Sequence, residues 1–151
     1  MSERKPTQVG WIPMGRGIGS ERELVRKLDG LGFAVLRAPA SGSRTKLDRP
    51  DILAGRKGFC LALEVKTTAK SILYVEKASV AQLLRFSERF GAKAMLAVKF
   101  KHKGKGWLLL EPGKLPSTRK GYRIAFKEAL KTGKSLESLV AHKLETYLQP
   151  S

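Results

Sequence analysis

The chain has 151 residues, long enough for one substantial hydrophobic core and short for two. Its 30 Lys and Arg against 13 Asp and Glu leave a net charge of +17, so a polyanionic partner is expected; nucleic acid fits best, because the basic residues are spread along the chain and do not line one membrane-surface helix. A single cysteine, Cys60, excludes an internal disulfide and a thiolate zinc cage, no run reaches the roughly 18 apolar residues of a membrane-spanning helix, and the polar N-terminus lacks a signal-type apolar segment, so an intracellular protein is expected.

Residues 1–17 mix Pro6, Pro13, Gly10, Gly15 and Gly17 with basic residues and a lone Trp11, without a sustained period. They read as a flexible basic arm, either a frayed terminus or a nucleic-acid contact with Trp11 available for stacking. Ser20 and Glu23 have capping-box spacing, and Leu24, Val25, Leu28 and Leu31 recur on one helical face, which predicts a helix over about 20–31 stopped by Gly30 and Gly32. Glu21 and Arg22 then fall in its first turn, where a carboxylate suits the helix dipole. A short strand follows over 33–37, and Ala38-Pro39-Ala40-Ser41-Gly42-Ser43-Arg44 forms a loop. Its small and hydroxyl residues beside Arg37, Arg44 and Lys46 fit either a surface turn or close approach to a phosphate.

Residues 51–54 and 59–67 flank Gly55-Arg56-Lys57-Gly58, a turn of hairpin type. In the second strand Phe59, Leu61, Leu63 and Val65 point one way, and Cys60, Ala62, Glu64 and Lys66 the other. Small residues therefore lead up to a charged pair on one face, as in a partly buried pocket whose carboxylate needs a partner. Residues 68–75 read as a loop or short edge strand ending in Tyr74-Val75, followed by a helix over about 77–90 stopped by Gly91. Two more strands, 94–100 and 107–110, enclose a turn whose Lys101, Lys103 and Lys105 fit a phosphate backbone or a solvated hairpin tip. From Lys93 to Lys134 there are twelve basic residues against Glu111 and Glu128, which places much of the charge outside the carboxylate stretch. Leu136, Leu139, Val140, Leu144, Tyr147 and Leu148 share a helical face that closes the core or meets another copy. The element order predicts an α/β fold, a mixed sheet of about five strands flanked by helices.

His102 and His142 have no partner pattern, and no P-loop, zinc ligand set or Ser-His-Asp arrangement can be placed. The chemistry concentrates on Asp51, Glu64 and Lys66. Twelve residues containing a hairpin separate the carboxylates, so both can meet at one end of the strand pair and hold Mg²⁺, with Mn²⁺ substituting. Such a site suits phosphodiester hydrolysis, with Lys66 orienting water or bearing on phosphate charge. A structural ion pair in a DNA-binding protein is the plainer alternative.

Pro50-Asp51 with Glu64-Val65-Lys66 resembles the PD-(D/E)xK nuclease signature. Gly32-Phe33-Ala34-Val35 with Arg37-Ala38-Pro39-Ala40-Ser41-Gly42-Ser43 resembles the archaeal Holliday junction resolvases, from about Gly19 to Glu111. The resemblance implies a restriction-endonuclease-like sheet and a homodimer that nicks symmetry-related strands of a four-way DNA junction in recombination and repair, in a cytoplasmic, nucleoid-associated setting. It implies an arm over 1–17 and one nuclease domain over 18–151, with Glu21, Asp51 and Glu64 around the metal, Lys66 as catalytic lysine and Ser41 as a loop serine needed for cleavage. Arg22 and Arg37 are implied phosphate contacts. Many members carry a glutamine early in the second helix, where this chain has Ser79, with Gln82 a turn later. Another repair or restriction endonuclease of the same superfamily and a non-catalytic junction binder are the competing expectations.

Overall fold

The computed structural model describes residues 16–39, 47–138 and 140–141. Residues 1–15 with Trp11, the loop positions Ser41, Arg44 and Lys46, and Leu139, His142, Leu144, Tyr147 and Leu148 lie outside the described residues.

The first helix, α1 (Arg16–Gly30), starts earlier than the capping-box spacing predicts, so Arg16 and Gly17 belong to it and not to an arm. Ser20 is a helix-interior residue, and Glu21 and Arg22 lie beyond the first turn, which corrects the expected start. The proposed cap partner, Glu23, turns instead to the sheet. Its carboxylate accepts hydrogen bonds from Lys99 Nζ at 2.8 and 3.0 Å and from Trp107 Nε1 at 3.3 Å. A half-buried ammonium needs an acceptor, and that demand outweighs a local cap. Leu24 and Leu28 on α1 are fully buried, as their spacing predicts.

The main sheet has strand order β1-β2-β3-β5-β6, with β1 (Ala34–Arg37), β2 (Ile52–Arg56), β3 (Phe59–Thr68), β5 (Lys93–Phe100) and β6 (Leu108–Leu110). All neighbours are antiparallel except β3 and β5. A parallel pair needs a crossover, here supplied by β4 (Ile72–Glu76) and α2 (Lys77–Phe90). Helix α2 ends on Gly91, whose φ of 83° is the left-handed cap conformation, as the sequence predicts. The β2–β3 turn is tighter than the four residues expected. Arg56 pairs with Phe59, and Lys57 and Gly58 between them have φ of 44° and 81°, the paired positive values of a two-residue type I′ hairpin.

Strand parity divides the core. Leu61 and Leu63 join Leu24, Leu28, Ile52, Ala54, Met95, Ala97 and Trp107 on the α1 face, with Val65 packed against them. Ala62 joins Val80, Leu83, Leu96, Val98 and Phe100 on the α2 face. Glu64 is thus in register with the α2 face of β3, as alternation predicts.

A second, two-stranded sheet pairs β4 with β7 (Gly121–Ala125), and α3 (Phe126–Thr132) follows it. Neither β7 nor α3 is expected from the sequence pattern; β4 is the short edge strand expected as one alternative over 68–75, paired on one side with β7. A side chain at Gly121 would collide with the Val75 carbonyl oxygen. Gly121→Ala is therefore expected to cost about 1–3 kcal/mol in urea unfolding by forcing the ribbon apart. Gly106→Ala, where an added methyl meets nothing within 4 Å, is the matched control and should shift the midpoint little.

Candidate active site

Asp51 sits where β2 begins, one step beyond the Ile52–Leu63 pair. Pro50 before it is buried and has no N–H to satisfy, which suits the entry to a strand. Three hydrogen bonds fix Asp51 itself. Its N–H donates to the Leu63 carbonyl at 3.0 Å, its own carbonyl accepts from the Ala38 N–H at 2.9 Å, and its Oδ2 accepts from the Val65 N–H at 2.8 Å. The last bond ties the carboxylate to the residue between Glu64 and Lys66, so the Pro-Asp and Glu-Val-Lys segments are physically joined.

Glu64 is the buried charged residue of this group, only 6% exposed. Burial pushes its carboxyl up to about 9, helped by hydrogen bonding to Asp51 and by the negative charge of Asp51; Lys66 opposes the rise, and Glu21 adds to it. Glu21 reaches the same place from α1. Its carboxyl is raised by burial and then by Asp51, while Arg37 pulls it back down. An Arg37 guanidinium nitrogen lies 3.8 Å from Glu21 Oε2, and the same Nη1 is buried without a hydrogen-bond partner among the described residues. Three carboxylates and two cations, Lys66 and Arg37, therefore feel one another's charge across α1, β1, β2 and β3. Among the described residues, no three Asp, Glu, His or Cys side chains already stand at ion-enclosing spacing. The donor chemistry nonetheless fits a hard divalent cation: all-oxygen ligands from three carboxylates, one of them buried.

The structure brings together Glu21, Asp51, Glu64, Lys66 and Arg37. Arg22 is exposed on α1. Because β3 and β5 run parallel, with Lys66 opposite Val98 and Thr68 opposite Phe100, the turn after β5 leaves the same end of the sheet as Lys66. Lys103 and Lys105 are exposed there, Lys101 is half-buried, and the Lys101 N–H donates to the Thr68 carbonyl at 2.8 Å. Sequence reasoning missed two neighbours. Gln82 of α2 accepts the Arg49 N–H, and Arg85 chelates Asp48. The glutamine was visible, but nothing in local spacing pairs it with a residue 33 positions away.

A mixed five-stranded sheet with Pro-Asp at the start of one hairpin strand and Glu-Val-Lys on the next is the arrangement of the PD-(D/E)xK nuclease class. Within it, the chain belongs to the archaeal Holliday junction resolvase (Hjc) family, whose profile matches residues 14–147. It is 37% identical over 131 residues to the crossover junction endodeoxyribonuclease Hjc of Methanocaldococcus jannaschii, covering 81% of this chain and 92% of that relative. It is also 38% identical over 105 residues to the crossover junction endodeoxyribonuclease Hje of Saccharolobus solfataricus, covering 67% of this chain and 76% of that relative. The solved structure of Archaeoglobus fulgidus Hjc, a Holliday junction resolvase, superposes with a TM-score of 0.75 at 31% identity, covering 82% of this chain and 99% of that one.

Proposed function

We propose that this protein is a Mg²⁺-dependent, structure-selective endodeoxyribonuclease that resolves four-way DNA junctions by paired, symmetric nicks. The joining of Asp51 to the Glu64-Val65-Lys66 segment, inside a chain of net charge +17, carries the proposal. Asp51 and Glu64 would hold the cation with Glu21 alongside, and Mn²⁺ would substitute. A divalent cation there supplies a water activated near neutral pH and stabilises charge on the phosphate. The chain's residues do the rest. Glu64 would meet the cation as its carboxylate, Lys66 would bear on the phosphate from the same face of β3 as Glu64, and Arg37, paired with Glu21, would add positive charge nearby. Ser41 and the basic Arg44 and Lys46 would complete the approach from the loop, and Arg22, Lys101, Lys103 and Lys105 would hold DNA arms.

Paired nicking needs two sites, and a second copy supplies the other. Helix α2 presents Phe90 at 53% exposure, stacked on Phe86 with ring centroids 5.3 Å apart, and the exposed Leu47 lines the same groove. This apolar surface supports a homodimer seated on α2. The described part of the C-terminal stretch, by contrast, turns inward, with Leu136 buried and Val140 packed on the α1-side core. Residues 18–151 would form one nuclease domain, working where the DNA is, in the cytoplasm at the nucleoid; no helix among the described residues is long and apolar enough to cross a membrane. Incubating a labelled four-way junction and a linear duplex of the same sequence with Mg²⁺ tests the proposal. Cleavage of the junction and sparing of the duplex are expected; equal cleavage of both would contradict junction selectivity.

A further inference from the structure

Asp51 is held on three sides by the sheet, but the chain enters it from a segment that the sheet does not hold. That segment, Asp48-Arg49-Pro50, is gripped by α2. Gln82 Oε1 accepts the Arg49 N–H at 3.2 Å. One turn further along the helix, Arg85 donates through Nε and Nη2 to the two Asp48 carboxylate oxygens at 2.8 and 2.9 Å. The two contacts are unequal. The Arg85–Asp48 pair is exposed, where water competes for both partners, so it adds little on its own. The Gln82 bond is partly buried and satisfies a backbone donor that the strand ladder does not reach.

Position makes the Gln82 bond matter for chemistry. Between the tethered amide and Asp51 lie only the rest of Arg49 and the buried Pro50, whose ring fixes φ. A displacement of the Arg49 amide therefore passes to the Asp51 backbone with little slack to absorb it. Asp51 in turn has its Oδ2 committed to the Val65 N–H and its carboxylate hydrogen-bonded to Glu64, so a shift of its backbone would disturb both contacts. Helix α2 is itself a rigid anchor, with Val80, Leu83 and Ser87 buried against the sheet and the Ser87 hydroxyl donating to the Leu83 carbonyl at 2.7 Å.

We propose that Gln82 is a positioning residue that holds Asp51 in its cation-binding pose through the Arg49 amide. This rests on the nuclease reading above, since it assigns Asp51 to the cation. Gln82 touches no reacting atom; its side-chain oxygen, not its charge or size, is what the role requires. A carboxylate at the same position keeps an acceptor within reach of the amide, whereas leucine fills the space and accepts nothing.

The test compares full-length wild type with Gln82→Leu and Gln82→Glu in calorimetric Mg²⁺ binding, in single-turnover junction cleavage across a Mg²⁺ series, and in junction affinity with Ca²⁺ present. Gln82→Leu is expected to weaken Mg²⁺ binding and slow cleavage about tenfold, as loss of a ligand-orienting partner does, while junction affinity stays within about twofold. Gln82→Glu should recover most of both. If leucine does not fold, Gln82→Ala replaces it, with the same expectations. Wild-type Mg²⁺ affinity and rate in the acceptor-less variant, or equal losses in that variant and Gln82→Glu, would overturn the proposal. Failure of the nuclease reading is separable: wild type would then bind Mg²⁺ yet cut no junction, and the calorimetric comparison would still decide whether Gln82 acts on the carboxylate site.

Discussion

Asp51→Asn is expected to lower junction cleavage on the order of 10³-fold while leaving junction affinity unchanged or slightly tighter, as loss of a group acting directly on the reacting phosphate would. Asparagine keeps the volume of Asp51, and its side-chain oxygen can still accept the Val65 N–H, so the junction between β2 and β3 survives the substitution. What disappears is a full negative charge from the group that would hold the cation. DNA itself is repelled by that charge, so its removal does not weaken binding. Band-shift titration in Ca²⁺ and single-turnover cleavage in Mg²⁺ separate the two effects. A non-catalytic binder would show neither cleavage nor any difference between the two proteins.

Glu64→Gln is expected to act in opposite directions on activity and stability. Cleavage should be lost, because the second carboxylate of the cation site is gone. Stability of the metal-free protein should rise. The folded Glu64 carboxyl titrates near 9, above its ordinary 4.5, because it is buried and beside Asp51. Below pH 4.5 the carboxyl is protonated in both folded and unfolded chains, and there is no difference to lose. Between 4.5 and about 9 the unfolded chain releases the proton and the folded chain retains it, so wild-type stability falls steadily as pH rises through that window. Glutamine has no proton to lose, and near pH 7 the variant should be more stable by on the order of 2–3 kcal/mol. Urea unfolding in a chelator at pH 5, 7 and 8.5 measures both profiles. Excess Mg²⁺ should recover part of the wild-type loss at high pH, since binding a cation releases the same proton. A flat wild-type profile, or a glutamine variant less stable throughout, would contradict the assignment.

Local pattern carried much of this site. The alternation Phe59 to Lys66 places Glu64 on the face opposite Leu61 and Leu63, and the hairpin that returns Asp51 to it is visible as the turn Gly55-Arg56-Lys57-Gly58, which the structure tightens to Lys57-Gly58. Helix α2 and its stop at Gly91 were equally legible, because apolar spacing and a left-handed glycine are properties of a short segment. What local pattern misjudged depended on distant partners. Glu23 has the spacing of a cap, yet its acceptors are spent on Lys99, 76 residues away, and on Trp107. With the helix starting at Arg16, Glu21 has no part in a first turn; it is half-buried, close enough to Asp51 and Arg37 to feel both charges. Strand β7 offered only Gly121 and Ile124 as buried positions, too few for an alternating signal, and it became a strand because β4 needed a partner.

The most direct test of the central claim maps the incisions. A four-way junction is labelled on each strand in turn, and cleavage by wild type and by Asp51→Asn is read at nucleotide resolution with Mg²⁺. Nicks at symmetric positions on two opposing strands, absent with Asp51→Asn and absent on linear duplex, are the predicted result. Symmetric nicks that persist with Asp51→Asn, or the same nicks on linear duplex, would contradict it.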